Sequence, residues 1–282
     1  MRKVRRMPNV LIEPDGAIAW VVMNRPEKRN AMNPAMNEDM IAVLDTLEAD
    51  DAVQVVVLTG AGEAFSAGMD LKEYFHEVDS APPARLAKVR RDAFAWQYER
   101  LRMFPKPTIA MVNGWCFGGA FTPLISCDLA IAADEATFGL SEVNWGIIPA
   151  GVVTRDLAAV LGYRTALNLI MTGRSFDGHE AADIGLVNSS VPMARLRDEV
   201  RTLAVDLTGK NPATLRAAKE SFKMSHDMPW EQARDYLYAK LDQMRLHDTE
   251  NGRQRGLEQF LGKQFRPGLG AYARETIIEP PA

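Results

Sequence analysis

The run Val53 to Thr59, Val-Gln-Val-Val-Val-Leu-Thr, is nearly all apolar and β-branched. A stretch of that length without polar alternation reads as a strand covered on both faces, as in a parallel sheet with helices packed above and below. Thr108 to Val112 and Leu129 to Ala132 repeat the signal. Helical patterns alternate with them. Asn33-Pro34 reads as an N-cap with Pro at the first helical position, followed by an apolar stripe at Met36, Met40, Val43, Leu44 and Leu47 that should end near Ala49. Pro83 to Phe104 forms a second helical pattern, bounded by Pro105 and Pro107, and Phe121 to Ser126 a third. Ahead of all these, Val10 to Glu13 and Ile18 to Met23 form a hairpin whose turn is expected at Pro14-Asp15-Gly16. The fold class is therefore α/β, layered around a mostly parallel sheet.

Beyond Gly151 the pattern turns helical, with segments at Thr154 to Leu161, Thr165 to Met171 and Gly178 to Ile184, a strand at Val187 to Val191, and longer helices from Met193 onward. Pro212 and Pro229 mark fresh starts. The last long helix is expected through Trp230, Tyr236, Tyr238, Leu241 and Met244, with a loosely ordered tail after Gly262.

Charge and motif content narrow the function. Thirty-three Lys and Arg against 37 Asp and Glu give a net charge of -4, so no overall field would attract nucleic acid. The basic start, Met1 to Pro8, leads into no long apolar core, and no apolar run reaches the ~18 residues of a membrane span. A soluble cytoplasmic protein is expected. Cys116 and Cys127 lack metal-type spacing and are expected as buried free thiols. His76, His179, His226 and His247 form no helical metal pair, and none falls beside a plausible Ser or Cys nucleophile. Gly60-Ala61-Gly62 lacks the third glycine of a dinucleotide fingerprint, since Phe65 occupies its place. Ala64-Phe65-Ser66-Ala67-Gly68 likewise lacks the first glycine of a nucleophile elbow.

Two stretches of bared backbone remain, Ser66 to Asp70 and Gly118-Gly119, each after a strand pattern. If Gly119 opens a helix, its N–H has no intrahelical acceptor and sits at the positive end of the helix dipole. The Met69 N–H would complete a two-donor oxyanion hole. The plainer alternative is that these glycines only permit tight packing. One carboxylate, Glu142, follows in Phe138-Gly139-Leu140-Ser141-Glu142.

Asn24 to Met32, Ala64 to Lys72, Lys106 to Ala110 and Asn113 to Gly119 together resemble the crotonase (enoyl-CoA hydratase/isomerase) superfamily, in order and in register. That resemblance implies an acyl-CoA substrate and a spiral of β-β-α repeats over residues 1–200. It also implies a C-terminal helical region over 201–282 that builds homotrimers, commonly paired into hexamers, and closes the aromatic end of the pocket. No metal or redox cofactor is implied, CoA being part of the substrate thioester. Met69 and Gly119 would donate to the thioester oxygen. Lys28, Ala67, Asp70 and Leu71 would line the CoA side, although Asp70 also fits a helix cap before Leu71-Lys72-Glu73.

Two-acid hydratases of the superfamily carry a second Glu where this chain has Thr122. A hydroxyl orients water but does not exchange a proton at neutral pH as a carboxylate does. Gly68 to Phe75, Trp115 to Gly119, Ser141 to Gly146 and Asp235 to Gln243 are similar to the hydroxycinnamoyl-CoA hydratase-lyases of that superfamily. These lyases hydrate a 4-hydroxycinnamoyl thioester and then cleave it to an aromatic aldehyde and acetyl-CoA. The resemblance implies Glu142 as acid/base, Thr122 as a water-holding hydroxyl, Tyr74 and Tyr238 on the phenolic oxygen, and Ser141 and Trp145 along the acyl pocket. Tyr236 and Tyr238 point about 200° apart on a helix, and the resemblance selects Tyr238. The chain departs from the pattern at Thr122 (Ser expected), Ala120 (Gly expected) and Ile148 to Gly151. The rival expectations are a hydratase or isomerase of aliphatic enoyl-CoA and a catalytically silent acyl-CoA-binding or RNA-associated protein.

Overall fold

The computed structural model describes residues 6–266, 268 and 270–274. Eleven strands among them are β1 (Arg6–Met7), β2 (Val10–Asp15), β3 (Ile18–Met23), β4 (Val55–Gly60), β5 (Ala64–Ser66), β6 (Thr108–Val112), β7 (Trp115–Phe117), β8 (Leu129–Ala133), β9 (Thr137–Gly139), β10 (Ser175–Asp177) and β11 (Ser189–Val191). Seven form a sheet in the order β1-β2-β3-β4-β6-β8-β11. Its first two pairings are antiparallel and the rest parallel. The run that dominates the sequence lies at its centre as β4, buried at every position.

The hairpin turn falls one step later than its composition suggests. Pro14 and Asp15 pair with Ala19 and Ile18, leaving Gly16 and Ala17 as the loop, with Gly16 at φ +59°. Two-residue hairpin loops need positive φ, which glycine supplies. Pro14 is tolerated in the strand because β1 reaches only as far as Leu11 along β2, so the missing N–H leaves no ladder bond unmade.

A second sheet has no counterpart in the sequence reading. It runs β10-β9-β7-β5, each strand three residues long, with β5, β7 and β9 parallel. The chain alternates between the sheets: β4 then β5, β6 then β7, β8 then β9. Each pair of strands leads into helical structure, which is the β-β-α spiral.

The helices of this part are α1 (Pro34–Glu48), α2 (Glu77–Asp79), α3 (Pro83–Phe94), α4 (Phe121–Ser126), α5 (Val153–Leu161), α6 (Tyr163–Thr172), α7 (Gly178–Asp183) and α8 (Met193–Thr208). The Asn33 side chain accepts from the Met36 N–H and caps α1 as expected. The second helical pattern is less regular than expected: α3 passes into a π-helical stretch, Ala95–Arg100, and ends at Arg102. Leu71–His76, ahead of α2, is also π-helical.

The chain divides into two compact units, Met1–Ala204 and Val205–Ala282. The second holds α9 (Pro212–Ser225), α10 (Trp230–His247) and α11 (Gly252–Leu261). The last long helix is α10, as expected, and the shorter α11 follows it. The described part of the tail is not loose: the Arg274 guanidinium donates to the carbonyls of Thr208 and Lys210 and pairs with Glu250. Residues 267, 269 and 275–282 lie outside the described residues. Cys116 and Cys127 are both buried, and no described helix is long and apolar enough to cross a membrane.

Candidate active site

The small sheet collects the segments that matter. Ser66 of β5 lies in register with Cys116 of β7, and Cys116 with Phe138 of β9. Three residues on from Ser66 is Met69, three on from Cys116 is Gly119, and four on from Phe138 is Glu142. All three follow the carboxyl ends of adjacent parallel strands, where open α/β sheets place ligands.

Met69 forms an isolated parallel bridge with Met32, in which Met32 N–H donates to Gly68 O at 2.8 Å and Asp70 N–H to Met32 O at 3.0 Å. This pattern turns the Met69 N–H away from Met32. Gly119 lies in the first turn of the helical stretch leading into α4, where an N–H has no acceptor within the helix. The two come together closely. A Cβ on Gly68, at φ +91°, would stand 3.0 Å from Gly119 N, and one on Gly119 would stand 3.4 Å from Met69 N and 2.9 Å from Met69 Cγ. The tight packing and the juxtaposed N–H groups are therefore one feature.

Two asparagines hold the loops in place. Asn113, 7% exposed, donates to Gly60 O and Gly62 O at 2.9 Å each and accepts from the Thr59 hydroxyl and Gly60 N–H. Fully buried Asn30 accepts from Arg25 N–H and donates to Ala61 O and Ala64 O. The Ser66 hydroxyl donates to Asn30 O and accepts from Gly68 N–H.

Glu142 sits on a 3₁₀ turn, Ser141–Trp145, and is 7% exposed. Gly118, at φ +52°, leaves room for it: a Cβ there would stand 3.0 Å from Glu142 Oε1. The Oε2 atom is buried without a hydrogen-bond partner. Burial pushes the carboxyl pKa up, with only its own backbone N–H opposing. A carboxylate poised to gain and lose a proton, close to two neighbouring backbone N–H groups, is equipped to move a proton next to a carbonyl whose oxygen gains charge.

Residues 13–266 match the profile of the enoyl-CoA hydratase/isomerase family. The chain belongs to that family. A hydroxycinnamoyl-CoA hydratase-lyase from Pseudomonas fluorescens is 59% identical over 270 residues, covering 95% of this chain and 98% of that protein. (E)-benzylidenesuccinyl-CoA hydratase from Thauera aromatica is 32% identical, over 92% and 98% of the two chains. The crystal structure of enoyl-CoA hydratase from Bacillus anthracis matches with a TM-score of 0.81 at 28% identity, over 90% of this chain and 96% of that one. The two-sheet spiral is the crotonase fold.

The remaining residues singled out in this enoyl-CoA hydratase/isomerase family chain are placed as follows. Thr122 lies on α4, 7% exposed. Tyr74 lies on the Leu71–His76 stretch, where burial raises its pKa against the opposing charge of Arg90. Asp70 caps that stretch, accepting from Lys72 and Glu73 N–H, and its other oxygen pairs with Arg25 at 3.0 Å. The cap reading of Asp70 is thus realised, and its carboxylate is fully engaged. Ala67 donates its N–H to Arg29 O, Leu71 is 56% exposed, and Lys28 is exposed at the end of the Pro26–Lys28 turn. Ser141 opens the Glu142 turn and half-exposed Trp145 closes it. Tyr238 belongs to the C-terminal unit, exposed on α10, where the Lys240 ammonium lies 5.8 Å from the centre of the Tyr236 ring.

One constellation is absent from the linear sequence. His179 Nδ1 lies 3.5 Å from both Asp134 Oδ1 and Ser190 Oγ, so a histidine does stand beside a serine. Both partners approach the same ring nitrogen, whereas a proton relay needs opposite ones. Among the described residues no cluster of three or more His, Cys, Asp or Glu is placed to hold a metal ion.

Proposed function

We propose that this protein hydrates a 4-hydroxycinnamoyl-CoA thioester (feruloyl-, p-coumaroyl- or caffeoyl-CoA) and cleaves the product by a retro-aldol step to a hydroxybenzaldehyde and acetyl-CoA. Feruloyl-CoA would give vanillin. The observation that carries this reading is one buried carboxylate with an unpartnered oxygen, Glu142, near the Met69 and Gly119 N–H groups, with Thr122 where a second carboxylate would stand. The extent of the similarity to the Pseudomonas fluorescens hydratase-lyase supports it.

In this reading Tyr74 and Tyr238 stabilise the substrate phenolate, whose charge passes through the ring to the thioester oxygen in the Met69–Gly119 hole. The benzylic carbon then accepts water. Glu142 takes the water proton as the C–O bond forms and returns it to the α-carbon, with the Thr122 hydroxyl orienting the water. In the second step Glu142 takes the new hydroxyl's proton, the Cα–Cβ bond breaks, and its electron pair becomes the acetyl-CoA enolate held in the same hole. Protonation of the enolate by Glu142 closes the cycle. Lys28, Ala67, Asp70 and Leu71 lie along the CoA side, and Ser141 and Trp145 along the acyl pocket. No redox cofactor is required, because no net electron transfer occurs, and no metal is required where the two N–H groups take up the charge on the thioester oxygen. The working form is a cytoplasmic homotrimer or dimer of trimers.

The test is incubation of the purified protein with feruloyl-CoA, assayed for vanillin and acetyl-CoA in equal amounts. A β-hydroxy thioester without aldehyde would reduce the activity to hydration. Preferential turnover of crotonyl-CoA would move the protein to the aliphatic hydratases.

A further inference from the structure

The five-residue 3₁₀ turn that carries Glu142 has little stability of its own, since short 3₁₀ segments have poor hydrogen-bond geometry. No side chain caps its start at Leu140. Its carboxylate offers no anchor outside the turn either: Oε2 has no partner, and the one backbone N–H that acts on the carboxyl is Glu142's own. The position of Glu142 is therefore set by whatever grips the turn from outside.

One short segment, residues 173–175, touches both sides of the turn. On the N-terminal side Gly139 pairs with Ser175 where β9 meets β10, and with Phe117 of β7 on its other edge. On the C-terminal side the Asn144 Nδ2 donates to Gly173 O at 2.9 Å. Gly173 closes α6 in a left-handed conformation at φ +57°, and its missing Cβ is what admits the amide: a Cβ there would stand 2.8 Å from both Asn144 Nδ2 and Oδ1. Glu142 lies between the two grips.

Resting on the reading of Glu142 as acid/base, we propose that Asn144 is the positioning residue of that group: its bond to Gly173 closes a bracket that holds the Glu142 carboxylate against Gly118. Asn144 itself is exposed, so its side chain can be shortened without opening the core.

The test is Asn144→Ala, assayed on feruloyl-CoA with pH profiles and thermal melts, beside Glu142→Gln. Misplacement of a catalytic group by about 1 Å costs on the order of 100-fold in rate. The expected result is a kcat lower by about 10- to 100-fold, with KM and melting temperature close to those of the parent. The acidic limb of the kcat profile should also move towards the ordinary carboxylate range, as a loosened turn lets water reach Glu142. Burial alone lifts that group, with no charged neighbour contributing, so a moved limb reports its solvation. Asn144→Asp, which keeps the shape but loses the donor, should lower kcat as the alanine variant does, while its added charge opposes the movement of the limb. Combining Asn144→Ala with Gly173→Ala should cost no more than the worse single change, because both break one contact. An Asn144→Ala enzyme with parental kcat and pH profile, alongside an inactive Glu142→Gln, overturns the bracket alone. A fall in melting temperature with no movement of the limb overturns it too, in favour of a merely structural role. Turnover retained by Glu142→Gln removes the acid/base reading itself.

Discussion

Glu142 is ionisable and lies where little water reaches it, and this has opposite consequences for rate and stability. Its folded-state pKa is raised, so its contribution to stability is fully present below the unfolded pKa and is lost as pH rises through the folded one. Glu142→Gln is accordingly expected to melt higher than the parent at neutral pH, with the gain vanishing below the ordinary carboxylate range. The same variant should lose about 10²–10⁴-fold in kcat while still binding CoA thioesters. Thermal melts at the two pH values and a binding isotherm check all three outcomes. Gly119→Ala places a methyl between the two N–H donors, 2.9 Å from the movable Met69 side chain, and should cost about 10²–10³-fold in kcat with folding retained. Met69, Gly119 and Glu142 were legible as chemical types in the sequence, since exposed glycine backbone and an isolated carboxylate are local signals. Asn30, Asn113 and Asn144 were not, because each amide bonds to backbone about 30 to 50 residues away in the chain.

At the scale of elements, the four strands of the small sheet are each three residues long, too short for alternation to register. Their existence is a consequence of pairing, and pairing is what brings Met69, Gly119 and Glu142 to one edge. The π-helical stretches are similarly hidden. In Ala95–Arg100 both Trp96 and Gln97 are buried; the Trp96 indole donates to Asn37 Oδ1 at 2.7 Å, and Gln97 Nε2 lies 3.5 Å from Met69 Sδ. Gln97→Leu removes that donor behind the hole, and kcat is expected to fall by roughly 10-fold with KM preserved, the scale of one net hydrogen bond. The Leu71–His76 stretch that bears Tyr74 is fastened through Arg25, which pairs with Asp70 and with Glu73 at 2.8 Å. Burial would raise the Asp70 pKa, but the Glu73 N–H and the Arg25 guanidinium outweigh it and hold it below the usual value. That stability is present above the unfolded pKa and lost as pH falls through the folded one. Arg25→Met strands the buried carboxylate, and about 3–5 kcal/mol of unfolding free energy should disappear near neutral pH, less in acid. Denaturant titrations at two pH values measure it.

At the scale of the whole molecule, each unit carries large apolar side chains at its surface: Ile148, Tyr163 and Met171 in the first, Phe222, Trp230, Leu246 and Leu261 in the second, each more than two-thirds exposed. Surfaces of this kind favour association. Light scattering is expected to give three or six chain masses; a monomer at micromolar concentration would count against the proposed assembly. The sequence by itself determined the α/β class, the central buried strands, the Asn33 cap and the family, because burial periodicity, capping and motif order are properties of neighbouring residues. Tertiary structure alone decided which glycines face which donors, that Ser190, His179 and Asp134 meet at one ring nitrogen and form no relay, and that residues 173–175 grip the Glu142 turn. Those depend on sheet register and on contacts between distant segments, where a shift of one residue turns a side chain to the opposite face.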